Sequence, residues 1–316
     1  MPFGHRYIAF GRAGVAEPGI YLATNRSGAW RIGAHPVAHG ERCAAIVIDG
    51  GRHVHLLVVR AIRGHPSEHS ELRYSTNRTG SWRASIVRVG EIGLASLALD
   101  RAGHPNVAGT DVDGAFLHER TASGAWASRY DVTGSTSHLR ADPDGNLWVV
   151  MSDVGNLRFV RLTDRSGAWA ASRVPVPFDQ QAELDLAIGA SGRRYVAMYD
   201  GATGRVTIRR DLGATWPVVD RANQPVKRHL LEMDIEPSGA IHLLFLRVEP
   251  NRAVVDLNRH GGAWTTAFIG YTTAFWSDLE LDHRGRLSAT VDRAGVVWSY
   301  WNPWTKPPNR FAISSL

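Results

Sequence analysis

Apolar and polar positions alternate with a period of two through most of the chain, in short runs such as IVIDGGRHVHLLVV, LALDRAGHPNV, LRADPDGNLWVV and MDIEPSGAIHLLFL. That alternation puts successive side chains on opposite faces of a strand. Each run is broken by Asp or a substitute with Gly close behind, a pairing that supplies the local hydrogen bond and unusual φ of a tight turn. The runs therefore predict hairpins of two strands, A and B. A second hairpin, C and D, follows each of them and ends in tryptophan. Its copies read GIYLATNRSGAW to Trp30, ELRYSTNRTGSW to Trp82, GAFLHERTASGAW to Trp126 and LRFVRLTDRSGAW to Trp169. VTIRRDLGATW to Trp216, VVDLNRHGGAW to Trp264 and a shortened VVWSYWNPW to Trp304 complete the series.

The tryptophans are 52, 44, 43, 47, 48 and 40 residues apart. A self-similar period of this length marks a propeller or another repeat array. The expected fold is all-β: a seven-bladed β-propeller with four antiparallel strands per blade, in one domain over residues 1–316. GHRYIAF (Gly4 to Phe10) aligns with GRRYVAMY (Gly192 to Tyr199), so the chain is expected to begin at strand B. RFAISSL (Arg310 to Leu316) is expected to close the ring, beside the N-terminal strand or as the last outer strand, because closure removes exposed sheet edges.

Composition narrows the partners. No run of 18 apolar residues exists, which argues against a membrane-spanning helix. The opening MPFGHRYIAF has neither the charged nor the apolar part of a secretory leader, so a cytoplasmic location is expected, or secretion with a leader removed. A single cysteine, Cys43, cannot form an internal disulfide. The net charge of +6 comes from 34 Arg and two Lys (Lys227, Lys306) against 30 acids. The arginines are scattered through every repeat, which favours a solvated surface over a nucleic-acid groove. A monomer that takes a small molecule or glycan, with no nucleic-acid or membrane partner, is expected.

The C–D hairpin resembles the Asp-box hairpin of sialidase-type (BNR-like) propellers, Ser-x-Asp-x-Gly-x-Thr-Trp. Asp211, Gly213, Thr215 and Trp216 match it, with Arg209 in the serine place. Elsewhere Asn25, Asn77 and Asp164 hold the Asp position, while Gly28, Gly80 and Gly167 fall one residue late. Asp boxes in that family are structural turns, so the resemblance implies architecture and no activity.

Candidate chemistry emerges when the A strands are stacked on their turn residues, Asp49, Asp100, Asp142, Gly189, Glu236 and Asp282. Four places earlier stand Ala45, Ser96, His138, Asp185, Glu232 and Asp278; two places earlier stand Val47, Ala98, Arg140, Ala187, Asp234 and Glu280. The positions between are apolar throughout. In a propeller, strand A lines the central channel, so blades 4 to 7 should bring His138, Arg140 and five carboxylates to it. Carboxylates held close together raise one another's pKa or need a cation between them. One reading is a site at the channel mouth, with His138, Arg140, Asp185, Glu232 and Asp278 catalytic and a calcium or magnesium ion held by Asp185, Glu232 and Asp278. Asp234 and Glu280 would bind ligand there. The other is a water-filled channel whose polar walls pair with arginines.

Equivalent places in strand B carry His55, Trp148, Tyr195 and His242, with Tyr7, Asn106 and Ser288, and form a second tier of ligand-binding candidates. The histidine pairs 35/39, 53/55 and 65/69 lack the third ligand that zinc needs and read as structural. Asp111-Val-Asp113-Gly and Asp142-Pro-Asp144-Gly read as hairpin turns and not calcium loops. The sequons at Asn25 and Asn77 lie in the repeated turn and carry no function. There is no GxSxG, P-loop or GxGxxG. Two functions stay open: an enzyme (hydrolase, lyase or cyclase) using channel carboxylates, and a non-catalytic lectin-like or protein-interaction scaffold. Polar A-strand residues that do not recur favour one unique site over a multivalent lectin.

Overall fold

The structure is a computed structural model that describes residues 7–12, 19–24, 31–39, 41–62, 70–134, 137–153, 158–174, 182–200, 203–223, 228–236, 238–247, 253–260, 262–271, 277–281, 287–293, 296–301 and 309–312. Every regular element among them is a strand, and all pairings are antiparallel between chain neighbours. The first sheet holds three strands, β1 (Tyr7–Arg12), β2 (Gly19–Thr24) and β3 (Arg31–His39). The second runs β4 (Glu41–Ile48), β5 (Val54–Ala61), β6 (Ser70–Thr76), β7 (Arg83–Gly90). The third runs β8 (Ala95–Leu99), β9 (Pro105–Asp111), β10 (Gly114–Arg120), β11 (Trp126–Val132). The fourth has β12 (Ser137–Ala141), β13 (Leu147–Asp153), β14 (Arg158–Thr163) and β15 (Ala170–Val174). The fifth has β16 (Ala182–Ile188), β17 (Arg194–Asp200), β18 (Arg205–Arg210) and β19 (Val218–Asn223). The sixth has β20 (Arg228–Ile235), β21 (Ile241–Arg247), β22 (Ala253–His260) and β23 (Ala263–Tyr271). The last has β24 (Ser277–Leu281), β25 (Leu287–Arg293), β26 (Val296–Trp301) and β27 (Asn309–Ala312).

Among the described residues the first sheet begins at β1. β27 pairs with β26 at the edge of the last sheet. The chain divides into two compact units, one of Met1–Leu139 with Met151–Gly155, the other of Arg140–Val150 with Asn156–Leu316. Within the first, β1 lies beside β4 and β4 beside β8; within the second, β16 lies beside β20 and β20 beside β24. The A strands β4 and β8, and likewise β16, β20 and β24, are thus neighbours, and apolar cores lie between consecutive sheets. Leu57, Leu72 and Tyr74 of the second sheet pack with Leu97, Val107 and Phe116 of the third. Tyr199, Val206 and Ile208 of the fifth pack with Met233, Leu243 and Phe245 of the sixth.

The A–B turns share one hydrogen-bond pattern. The N–H of the turn residue donates to the carbonyl four residues on, and its own carbonyl accepts from the residue three on. This holds at Asp49, Asp100, Asp142, Gly189 and Glu236. The residue three on has φ between 66° and 88°. Glycine fills that left-handed place in four of the five turns, and Arg52 fills it in the other.

Candidate functional site

Along the A strands, Leu97, Leu139, Leu186 and Met233 are buried on one face, and the polar set lies on the other. The polar positions do not behave alike. Asp185 is 1% exposed. Its Oδ2 accepts the backbone N–H of Met233 on the next A strand, and its Oδ1 accepts Leu186 N–H at 2.7 Å. Ser96, at the equivalent place in the third sheet, accepts the N–H of Leu139 at 3.0 Å. Ser96 and Asp185 therefore staple one A strand to the next by accepting a backbone N–H across the joint.

Arg140 stands where the sequence called for a cation. Its Nη2 donates to Glu232 Oε1 at 2.8 Å and lies 3.8 Å from Asp185 Oδ1. The Arg140 side chain is 32% exposed, Glu232 is less so, and Asp185 is enclosed. Asp234, two residues after Glu232, accepts the N–H of Ile235 at 2.7 Å. His138 sits half-buried two residues before Arg140 on β12. Asp278 and Glu280 lie on β24, which neighbours β20, but their side chains fall outside the described residues. Among the described residues no three His, Cys, Asp or Glu side chains form a metal site. Asp185 already accepts two N–H groups and Glu232 is neutralised by Arg140, so a divalent cation would have to displace the guanidinium. Among the described residues, Asp185 and Glu232 fit a calcium or magnesium ion poorly.

The second-tier candidates on strand B have another role. His55 and His242 are 0% exposed, and Trp148 is buried. Each turns its ring nitrogen to the acid of its own A–B turn, six residues back. His55 Nε2 is 3.3 Å from Asp49 Oδ2, Trp148 Nε1 donates to Asp142 Oδ2 at 2.9 Å, and His242 Nε2 is 3.0 Å from Glu236 Oε1. Tyr195 has no such donor and follows the turn whose acid is replaced by Gly189. At Asn106 the amide instead donates to His104 O at 3.2 Å. His55, Trp148 and His242 thus clasp their hairpins from buried positions, whereas Tyr195 is half-buried and makes no such clasp. Tyr7 and Ser288 side chains and Asp282 lie outside the described residues.

Charge follows this geometry. Burial pushes the Asp49 carboxyl up, but hydrogen bonds from His53 N–H and from the His53 and His55 rings outweigh it and hold it at about 2. Burial lowers His55, with Asp49 pulling the other way. Burial raises Asp142, yet donors from Asn146, Trp148 and Asp144 leave it below the usual range. His53 also bonds Asp49, in keeping with a structural 53/55 pair. The 65/69 pair and the side chains of 35/39 lie outside the described residues.

The tryptophan hairpins fasten sheets together. Trp126 Nε1 donates to Ser85 of the preceding sheet at 3.1 Å, and Trp264 Nε1 to Asp220 of its preceding sheet at 3.3 Å. The turn acceptors reach strand B: Asn77 Oδ1 takes Val54 N–H at 2.8 Å and Asp164 Oδ1 takes Leu147 N–H at 2.6 Å. The amide oxygen of the Asn77 sequon is thereby engaged. Asp211 goes further. It is 5% exposed and receives Arg161 Nη1 at 2.9 Å, Arg194 Nε at 2.8 Å and Gly213 N–H at 2.6 Å. Arg194 also lies 3.8 Å over the Trp148 ring. Asp111 and Asp142 accept the N–H groups of Asp113 and Asp144 within their turns. Trp30, Trp304 and Asn25 are outside the described residues.

Sequence reasoning missed Arg88, Arg161 and Arg194, which hold sheets together, because the arginines looked like scattered surface charge. Only the Asp-box match at Asp211 hinted at one of these joints.

No protein family matches the chain, and no curated protein matches it by sequence. Solved structures do. A putative 6-phosphogluconolactonase from Bacteroides uniformis superposes with TM-score 0.65 at 13% identity, covering 97% of this chain and 95% of that one. The Aleuria aurantia lectin in complex with Fucα1-6GlcNAc gives 0.57 at 11% identity over 86% and 94%. A virginiamycin B lyase from Staphylococcus aureus with quinupristin gives 0.53 at 10% identity over 98% and 88%. At these identities the likeness shows the fold alone: a β-propeller repeat fold of four-stranded antiparallel sheets, shared with lactonases, a lyase and fucose lectins.

Proposed function

We propose that residues 1–316 form a single seven-bladed propeller, closed by its first and last sheets, with one glycan or sugar-acid site on the A strands of the fourth to sixth repeats. Seven sheets in chain order, with A strands neighbouring one another in each unit, support the architecture. The Asp-box-like hairpins are turns and inter-sheet fasteners in this reading. The observation that carries the site is the Arg140–Glu232 pair, charged, partly exposed and repeated in no other described blade. Arg140 offers fixed donors to a carboxylate or lactone oxygen, and Glu232 offers an acceptor to hydroxyl groups. A ligand anion that recruits Arg140 draws the cation away from Glu232 and raises the glutamate's proton affinity. That change suits Glu232 to act as a base towards the bound ligand. The propeller fold shared with lactonases, a lyase and fucose lectins is compatible with this reading.

The test is a thermal-shift and calorimetric screen of neutral sugars, aldonates and sugar lactones, with lactone hydrolysis followed in parallel. A ligand at a hundredfold excess over its Kd should stabilise the wild type by about 2.7 kcal/mol. Arg140→Ala should abolish the shift, and Glu232→Gln should keep binding while losing turnover. Binding without turnover in the wild type would assign the lectin-like role. A shift unchanged by both substitutions would remove the site from this pair.

A further inference from the structure

The joint between the second and third sheets contains an imidazole that nothing above uses. Arg88, on the outer strand β7, reaches across to the third sheet. Its Nε donates to Asp111 Oδ2 and its Nη1 to Asp131 Oδ1 at 2.9 Å, while the guanidinium lies 4.6 Å over the Phe116 ring. The same Nη1 is 3.3 Å from His118 Nε2 on β10. An arginine N–H can only donate, so Nε2 must be the bare nitrogen and the ring proton must sit on Nδ1. Nδ1 is buried and has no hydrogen-bond partner among the described residues. The Phe116 ring meets the imidazole edge-on at 5.2 Å.

We infer that His118 is an acid-sensitive latch: neutral, it accepts from Arg88 and helps hold β7 to the third sheet, and protonated, it opposes the guanidinium and loosens that joint. Protonation turns Nε2 from acceptor into donor, facing a group that is itself only a donor. It leaves Nδ1–H still without an acceptor. The charged groups facing the ring are Arg88 from β7, Asp111 from the end of β9 and Asp131 from β11. Burial and then Arg88 lower the proton affinity of His118, and the two aspartates, both engaged by Arg88, offset this only in part. A histidine lowered in the folded state adds acid sensitivity with a definite sign. Its contribution is fully present above the unfolded value near 6.5 and is lost as pH falls from there through the folded value.

The latch is tested by melting the full chain between about pH 7.5 and pH 5.5, wild type against His118→Gln, whose amide oxygen accepts from Arg88 without titrating. His55 is common to both proteins and cancels. On acidification the wild-type Tm should fall further than the variant's. Hydrogen exchange, corrected for its intrinsic pH dependence, should rise in β7 of the wild type alone on acidification. Parallel falls in Tm would overturn the latch. Should the variant not fold, the His118 ring resonances of the wild type decide: titration below 6.5 supports the latch, and titration at or above it overturns it.

Discussion

Two arginine-centred joints fasten neighbouring sheets, one in each unit. In the first, Arg88 lies over Phe116 and binds Asp111 and Asp131, with His118 as a third acceptor. In the second, Arg194 lies over Trp148 and shares Asp211 with Arg161, and among the described residues no imidazole takes part. The mechanical solution is the same in both: a guanidinium bridges two sheets while an aromatic face carries its flat side. The difference lies in which acceptor completes it. A histidine acceptor ties the strength of the joint to pH near neutrality, whereas an aspartate between two arginines ties it to the integrity of one buried carboxylate.

The comparison is broken most severely at Asp211. Asp211→Ala leaves two guanidiniums facing each other with no carboxylate between them, and removing one partner of a buried pair costs about 3–5 kcal/mol. Urea unfolding should show that loss; one below about 1 kcal/mol would place this joint among ordinary surface pairs. Next come the staples between A strands. Asp185→Ala removes an acceptor of the buried Met233 N–H, and Ser96→Ala one of Leu139 N–H, at a cost of about 1–3 kcal/mol each. Equal losses would show one device serving both units, and a loss confined to Asp185 would make the second unit the more dependent on it.

The smallest effect appears in acid, at Asp49. Its carboxyl is held at about 2 against an ordinary 3.8, so its contribution exists above the unfolded value and vanishes as pH falls through about 2. Screened by solvent, it amounts to about 1 kcal/mol. Asp49→Asn should therefore lose less stability than the wild type between about pH 5 and pH 2. Identical slopes would mean that the clasp on His53 and His55 adds nothing. This window lies below that of His118, so the two titrations can be separated in one series.

What the chain declares locally could be read from it. The turns with Asp or a substitute, the tryptophan hairpins and the four-strand rhythm depend on neighbours within a few residues, and they reappear among the described residues of the later sheets. The site was legible in part. Stacking the A strands put Arg140, Asp185 and Glu232 together, but alternation could not say that Asp185 faces a backbone N–H while Glu232 faces a guanidinium. His55, Trp148 and His242 looked like a polar ring because burial is not visible in a two-residue period. Arg88 finds His118 30 residues away, and Arg161 finds Asp211 50 residues away. Such pairings belong to the meeting of sheets and leave no local mark.

The clasps between a turn acid and the ring six residues on have a kinetic consequence. Asp49 with His55, Asp142 with Trp148 and Glu236 with His242 each close a very short loop. Short loops close early because little chain entropy is lost. Each A–B hairpin can then form as an independent seed during synthesis, well before Arg161 meets Asp211. Weakening a clasp should slow folding, and weakening a joint should hasten unfolding.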